Sequence, residues 1–176
     1  LMYGDTRHRQ GSFYTPRDIV RSIVEGAITG HLRERADISE EMAARLLRGE
    51  VRPGLSSSTL ARVRRALREL TILDPAVGTG AFLLESLHVL RRAWEGLVDE
   101  SSQTPLAEYR RTRRLIHRHL FGVDIDKTAV RLCELRLWLA LLPTLPDGIG
   151  IQDVPPLPNL SHRICAGNSL ISPMDL

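Results

Sequence analysis

Apolar residues recur at steps of three and four along most of the chain, and this spacing predicts helices. Ile19, Val20, Ile23, Val24, Ala27 and Ile28 mark the first helix, with Thr15 as a suitable N-cap, Pro16 at its first position and Asp18 three after the cap. Ile38, Met42 and Leu46 mark a short helix over residues 37–48. Over residues 59–70, Leu60, Val63, Leu67 and Leu70 form an inward face, while Arg62, Arg64, Arg65 and Arg68 lie off it. Leu83, Leu87, Leu90, Trp94 and Leu97 predict a long helix to about residue 98, and a polar link leads to another helical segment. Residues 127–142 are apolar around most of the helix circumference and predict a well-buried helix.

Two stretches break the helical period. Leu70-Thr71-Ile72-Leu73 and Leu120-Phe121-Gly122-Val123 are short apolar runs, each ending in an aspartate. They predict strands, and Arg163-Ile164-Cys165-Ala166 predicts a short third. Strand, glycine-rich turn and helix then alternate as in a doubly wound α/β fold. Residues 143–160, rich in proline and glycine, predict loop.

In such sheets ligands bind beyond the carboxyl ends of the strands, which here means Asp74 to Gly80. Gly78 and Gly80 permit positive φ and close approach of a ligand to the backbone. The helix after them offers unpaired N–H groups to an anion, phosphate or carboxylate. A phosphate loop calls for Lys and Ser/Thr after the second glycine, where Ala81-Phe82 stand, and a dinucleotide fingerprint calls for Gly or Ala where Leu83 stands. Both phosphate readings are weakened.

Composition narrows the field only slightly. With 176 residues, 43% apolar and 26% charged, the chain suits one globular domain. No run is long enough to span a membrane, and the polar, charged start shows no secretory pattern, so a cytoplasmic location is expected. Cys133 and Cys165 match no metal or redox spacing and read as packing residues; no metal site is expected. A formal charge of +3 permits nucleic-acid binding without arguing for it. The arginines of residues 62–68 and 110–114 read as solvated faces, with contact to DNA phosphate the less favoured alternative.

The run Asp74-Pro75-Ala76-Val77-Gly78-Thr79-Gly80-Ala81-Phe82-Leu83 resembles motif I of S-adenosylmethionine-dependent methyltransferases, specifically the adenine-specific (N6) DNA methyltransferases of restriction–modification systems. Ser12-Phe13-Tyr14-Thr15-Pro16 resembles their motif X, a turn that closes over the methionine end of the cofactor. Leu120-Phe121-Gly122-Val123-Asp124-Ile125-Asp126 resembles motif II, with Asp124 at the ribose-binding acid and Ile125 at the residue that packs on adenine. Gly167-Asn168-Ser169-Leu170 resembles motif III, with Asn168 where many relatives carry Asp. One spacing departs from a compact βαβ unit. Asp124 follows Gly80 at more than twice the usual interval of roughly twenty residues, so the crossover carries an extra helical insertion.

The resemblance implies a Rossmann-like methyltransferase fold with a partial sheet, preceded by a helical N-terminal region. It implies residues 1–70 as that region and 71–176 as the first half of a cofactor-binding domain. It implies S-adenosylmethionine as cofactor, held by Tyr14, Thr15, Pro16, Asp74, Pro75, Ala76, Gly78, Thr79, Gly80, Phe82, Asp124, Ile125, Asn168 and Ser169. Double-stranded DNA would be the partner of the full-length enzyme. The order X, I, II, III is that of the γ-type arrangement, with target recognition towards the C-terminus, as in type IIG enzymes and type I modification subunits.

Adenine methylation in the family needs a polar-Pro-Pro-aromatic tetrad (motif IV). Its oxygens orient the adenine amino group, and its ring stacks on a flipped base. The chain's one Pro-Pro, in Val154-Pro155-Pro156-Leu157, has neither the polar nor the aromatic residue and lies ahead of motif III. No catalytic residue is therefore assigned, and the chain reads as truncated before that motif and inactive alone. Rival readings are a methyltransferase of RNA, protein or small molecules, a nucleotide-dependent oxidoreductase, and a non-enzymatic nucleotide-binding interaction domain.

Overall fold

The computed structural model describes residues 15–50, 55–98, 104–145, 148–149, 152 and 158–171. Its elements in chain order are α1 (Arg17–Ala36), α2 (Glu40–Leu47), α3 (Ser57–Glu69), β1 (Ile72–Asp74), α4 (Ala81–Glu95), α5 (Pro105–His119), β2 (Leu120–Asp124), α6 (Lys127–Leu139), a 3-10 turn (Leu142–Thr144) and β3 (Ile164–Ala166).

The strands form one parallel sheet in the order β1-β2-β3. Ile72 pairs with Leu120, Asp74 with Gly122, and Gly122 in turn with Ile164. The α/β expectation is therefore met in a small sheet among many helices. Burial alternates along the strands as side chains alternate between faces. Leu120, Gly122 and Ile164 are buried on one face, whereas Leu73, on the other, is 63% exposed. Phe121, half-buried on that open face, lies under the Arg163 guanidinium, 4.8 Å from the ring centre.

The core runs from the sheet into the first helices. Val20, Val24, Ile28, Leu32 and Ala36 are the buried stripe of α1, which packs against α2, α3 and α4. Ile19 and Ile23, expected inward, are about half exposed, because the stripe centres one position further on. Thr15 does not cap α1. Pro16 occupies the N-cap position without a side-chain bond, and its carbonyl accepts from Val20 at 3.0 Å. Ser39, Ser56 and Thr104 do cap their helices, and Ser39 sets the start of α2 three residues later than periodicity suggested.

The arginines of α3 correct the reading of that helix as merely solvated. Arg62 donates to the Ala36 carbonyl at 2.9 Å, closing the end of α1, and Arg64 donates to the Leu97 carbonyl. Both satisfy backbone acceptors left open where helices stop. Helix α6 is also less buried than its apolar content implies. Val130, Cys133 and Leu137 are covered, but Leu132, Leu135 and Leu139 are each 44–50% exposed.

Among the described residues, no helix is long and apolar enough to cross a membrane.

Candidate functional site

The site is built where β1 and β2 end side by side. Asp74, the last residue of β1, turns the chain: its Oδ1 accepts from the Ala76 N–H at 3.1 Å. The loop then leans on β2. The Val77 N–H donates to the Val123 carbonyl at 2.9 Å, and the Gly78 N–H to Asp124 Oδ2 at 2.7 Å. Gly80, at φ 86°, becomes the N-cap of α4. Arg136 on α6 grips the loop from the far side, donating to the Thr79 carbonyl at 2.7 Å and to Thr79 Oγ1 at 3.0 Å.

Two glycines are required by close approach. A Cβ on Gly80 would stand 2.5 Å from Cys133 Sγ, and one on Gly122 would stand 2.8 Å from Val77 Cγ2. The first lets α4 start against α6; the second lets Val77 of the loop lie on β2. Gly78, at φ 51°, has nothing among the described residues within 4 Å of where its Cβ would be. A ligand has room to reach the backbone there.

Asp124 holds the loop and its own turn together. Beyond Gly78 on Oδ2, its Oδ1 accepts from the Asp126 N–H at 2.9 Å. It does not cap the following helix; Asp126 does, accepting from Thr128 at 2.8 Å. Each Asp124 oxygen still has a lone pair for a ligand hydroxyl. Next to it, Ile125 is 72% exposed, an apolar surface with no protein cover at the rim.

Asp74 differs from Asp124. Its Oδ2 is buried and, among the described residues, has no hydrogen-bond partner. Burial raises its pKa above the ordinary carboxyl value; the Ala76 N–H opposes this, and the charge of Asp124 adds to it. Cys133, behind Gly80, is buried, and its thiol is pushed up to about 12, by burial first and then by the nearby Asp74 charge. It stays a neutral packing group. Two carboxylates at the strand ends repel a polyphosphate. They suit a ligand carrying a positive charge and hydroxyls.

Of the residues singled out from sequence, Asp74, Pro75, Ala76, Gly78, Thr79, Gly80, Asp124 and Ile125 gather at these strand ends, and the partly buried Phe82 opens α4. Asn168 follows β3, whose end is tied to β2 by the Gly167 N–H on the Asp124 carbonyl at 2.9 Å. Its Oδ1 already accepts from Leu170 at 3.0 Å, and Ser169 beside it is exposed. Thr15 and Pro16 lie ahead of α1, and among the described residues no hydrogen bond joins either to the loop. Tyr14 and the segment Val154-Pro155-Pro156-Leu157 lie outside the described residues. Sequence reading missed Arg136 and the close contact of Val77 with Gly122, whereas Cys133 is the packing residue it was read as. The lone glycine inside β2 was a usable signal, since such a glycine marks close backbone approach. Nothing in the pattern singled out Arg136. Among the described residues no cluster could hold a metal ion.

Comparison with known proteins shows the family. The family model described as "MmeI, DNA-methyltransferase domain" matches residues 51–145, more than half of the chain. The chain is 31% identical, over 94% of its length, to the "Putative type II restriction enzyme and methyltransferase" RM.MjaORFECS2P of Methanocaldococcus jannaschii. It is 25% identical over 73% of its length to the adenine-specific methyltransferase PglX of Lacticaseibacillus casei. It is 30% identical over 58% of its length to the type II restriction enzyme and methyltransferase RM.Eco57I of Escherichia coli. The chain spans 11–15% of the length of these relatives. No solved structure matches it.

Proposed function

The chain belongs to the MmeI DNA-methyltransferase domain family, and on that premise we propose that it is the cofactor-binding part of an adenine-N6 DNA methyltransferase of a restriction–modification system. Residues 1–70 form the helical N-terminal region and residues 71–176 the first half of a Rossmann-like methyltransferase domain. The cofactor is S-adenosylmethionine.

One observation carries the reading: the glycine loop is bonded to the carboxylate that ends the neighbouring parallel strand, Gly78 N–H to Asp124 at 2.7 Å. The residues fit this cofactor on three further counts. Among the described residues, Asp74 Oδ2 is buried without a partner, Gly78 faces open space, and Ile125 is a largely exposed apolar side chain at the rim.

When bound, the cofactor supplies a methyl carbon made electrophilic by a positive sulfonium. Asp124 accepts from the ribose hydroxyls with its remaining lone pairs, and Ile125 covers the adenine ring. Asp74 takes the cationic amino end, which gives its orphaned oxygen a donor. Pro75, Ala76, Gly78, Thr79 and Gly80 line the approach, and Phe82 walls it. Tyr14, Thr15 and Pro16 close over the methionine end; Asn168 and Ser169 flank the adenine edge. The acceptor, a flipped DNA adenine, needs a polar-Pro-Pro-aromatic tetrad that is absent from these 176 residues. In the whole protein, catalysis rests on holding donor and acceptor in line, with no covalent enzyme intermediate.

The test is titration calorimetry on the folded chain. S-adenosylmethionine and S-adenosylhomocysteine are expected to bind in preference to nicotinamide dinucleotides. Tighter binding of NAD would overturn the assignment.

A further inference from the structure

We infer that the outer face of α5 is a phosphate-binding surface that holds duplex DNA away from the target base. Arg110, Arg113, Arg114, His117 and Arg118 are all exposed, while Thr112, Leu115 and Ile116 between them, and His119 after them, are buried. The exposed set recurs at steps of three and four, so it occupies one side of the helix over about 12 Å.

What distinguishes these arginines is that, among the described residues, they are unpartnered and stand together on one helix face. Several arginines elsewhere are engaged: Arg21, Arg48 and Arg65 pair with glutamates, and Arg62, Arg64 and Arg136 donate to backbone carbonyls. Arg35, Arg45 and Arg68 are not, but they lie on three different helices and form no row. Among the described residues, no hydrogen bond or ion pair reaches Arg110, Arg113, Arg114 or Arg118. The one described acid of α5, Glu108, is taken by Arg91 of α4. A row of free guanidinium forks repels itself and gains most from a polyanion.

The same row argues against other occupants. Protein interfaces centre on apolar and aromatic anchors, and membrane-surface helices insert them. The exposed side of α5 from Arg110 to Arg118 has none. Its place in the fold sets what it touches. His119 runs directly into Leu120, at the amino end of β2, whereas the glycine loop lies at the carboxyl ends of the strands. At the Arg118 end of the row the bound duplex is therefore not the stretch that presents its base to the cofactor, and the phosphate contact carries no sequence information. That the polyanion is DNA rests on the proposed function; that it is a polyphosphate rests on the charge pattern.

The test measures binding of the whole chain to a short labelled mixed-sequence duplex by fluorescence anisotropy across a salt series. The triple variant R110Q/R114Q/R118Q is compared with R35Q/R45Q/R68Q, which removes the same charge from other helices. The first is expected to weaken binding on the order of tenfold at low salt and to flatten the salt slope by about 0.9 for each phosphate that the variant no longer neutralises. The second should change little. Equal losses in both variants, no duplex binding by the parent chain, or tighter binding through α5 to phosphatidylserine vesicles or polyglutamate than to the duplex would each overturn the proposal. Calorimetry with S-adenosylmethionine on the same proteins separates the two readings. A chain that takes the cofactor but not the duplex refutes the α5 surface alone; one that takes the duplex but not the cofactor refutes the cofactor site alone.

Discussion

The backbone N–H of Gly78 donates to Oδ2 of Asp124 at 2.7 Å across 46 positions of sequence. One carboxylate thereby fixes the loop and, through Oδ1, the start of the next turn. Asp126, two residues on, caps α6 and touches neither glycine. Asp124→Ala is expected to weaken S-adenosylmethionine binding by roughly 1.5–3 kcal/mol, the scale of charge-assisted hydrogen bonds, and Asp126→Ala by much less. Calorimetry on both variants, with folding checked by circular dichroism, decides it. Equal effects would place the ribose elsewhere.

Gly80 faces two separate constraints, a left-handed φ of 86° and Cys133 Sγ at 2.5 Å from where a Cβ would sit. Gly80→Ala should destabilise the chain through both. Adding Cys133→Ala removes the clash and leaves the backbone strain of roughly 1–2 kcal/mol, while Cys133→Ala alone leaves a cavity that the added methyl partly fills. A denaturant double-mutant cycle should therefore give a favourable coupling between the two substitutions. Strict additivity would show that the sulfur is not the obstacle.

Asp74 should trade stability against binding. Its folded pKa is raised, chiefly by burial, so the folded state holds its proton more tightly than the unfolded one. The ionised carboxylate therefore costs stability, and the cost develops as pH rises from the unfolded value through the folded one. Asp74→Asn is expected to raise the thermal midpoint of the ligand-free chain at neutral pH and to weaken S-adenosylmethionine binding. A lower midpoint with unchanged binding would contradict both halves.

His119 gives the opposite dependence. It is buried and held below 6.5, mainly by desolvation, with Nδ1 at 2.6 Å from the Leu70 carbonyl. The neutral ring must carry its proton on Nδ1 to donate there. Stability from this group is full above about pH 6.5, the unfolded value, and falls as pH drops through it towards the lower folded value. Denaturant titrations across pH 5–8 (the usual range of histidine titration) should show that fall, and His119→Gln should flatten it. An unchanged slope would assign the dependence to another group.

The chain alone is expected to transfer no methyl group to DNA. Holding both reactants can supply about 7–11 kcal/mol of a barrier, and nothing in this sequence holds the acceptor. Radiolabelled donor with mixed-sequence DNA tests it. Labelled adenine would bring Val154 to Leu157 back into consideration.

The strand ends were legible from sequence because their chemistry is local. A β-branched run, an aspartate and two glycines specify strand, turn and helix within ten residues, and Asp74 to Gly80 lie where that reading put them. What escaped it depends on distant partners. Arg62 and Arg64 looked like solvent-facing charges until the carbonyls of Ala36 and Leu97 arrived beside them. Arg136 reads as an ordinary surface residue of α6 until the loop folds over it. The leucines of α6 misled in the other direction. Periodicity reports how apolar a helix is, whereas burial depends on how many neighbours the sheet supplies, and Leu132, Leu135 and Leu139 have too few.

The long crossover between β1 and β2 costs the fold little. Closing a flexible loop becomes harder only with the logarithm of its length, so doubling the interval adds about 0.6 kcal/mol. Helix α5, occupying the added length, buries Tyr109, Leu115 and Ile116, and this apolar burial offsets part of the entropy lost in ordering it. The first crossover of this sheet is thus a place where a whole helix is accommodated with the loop–strand bond between Gly78 and Asp124 left in register.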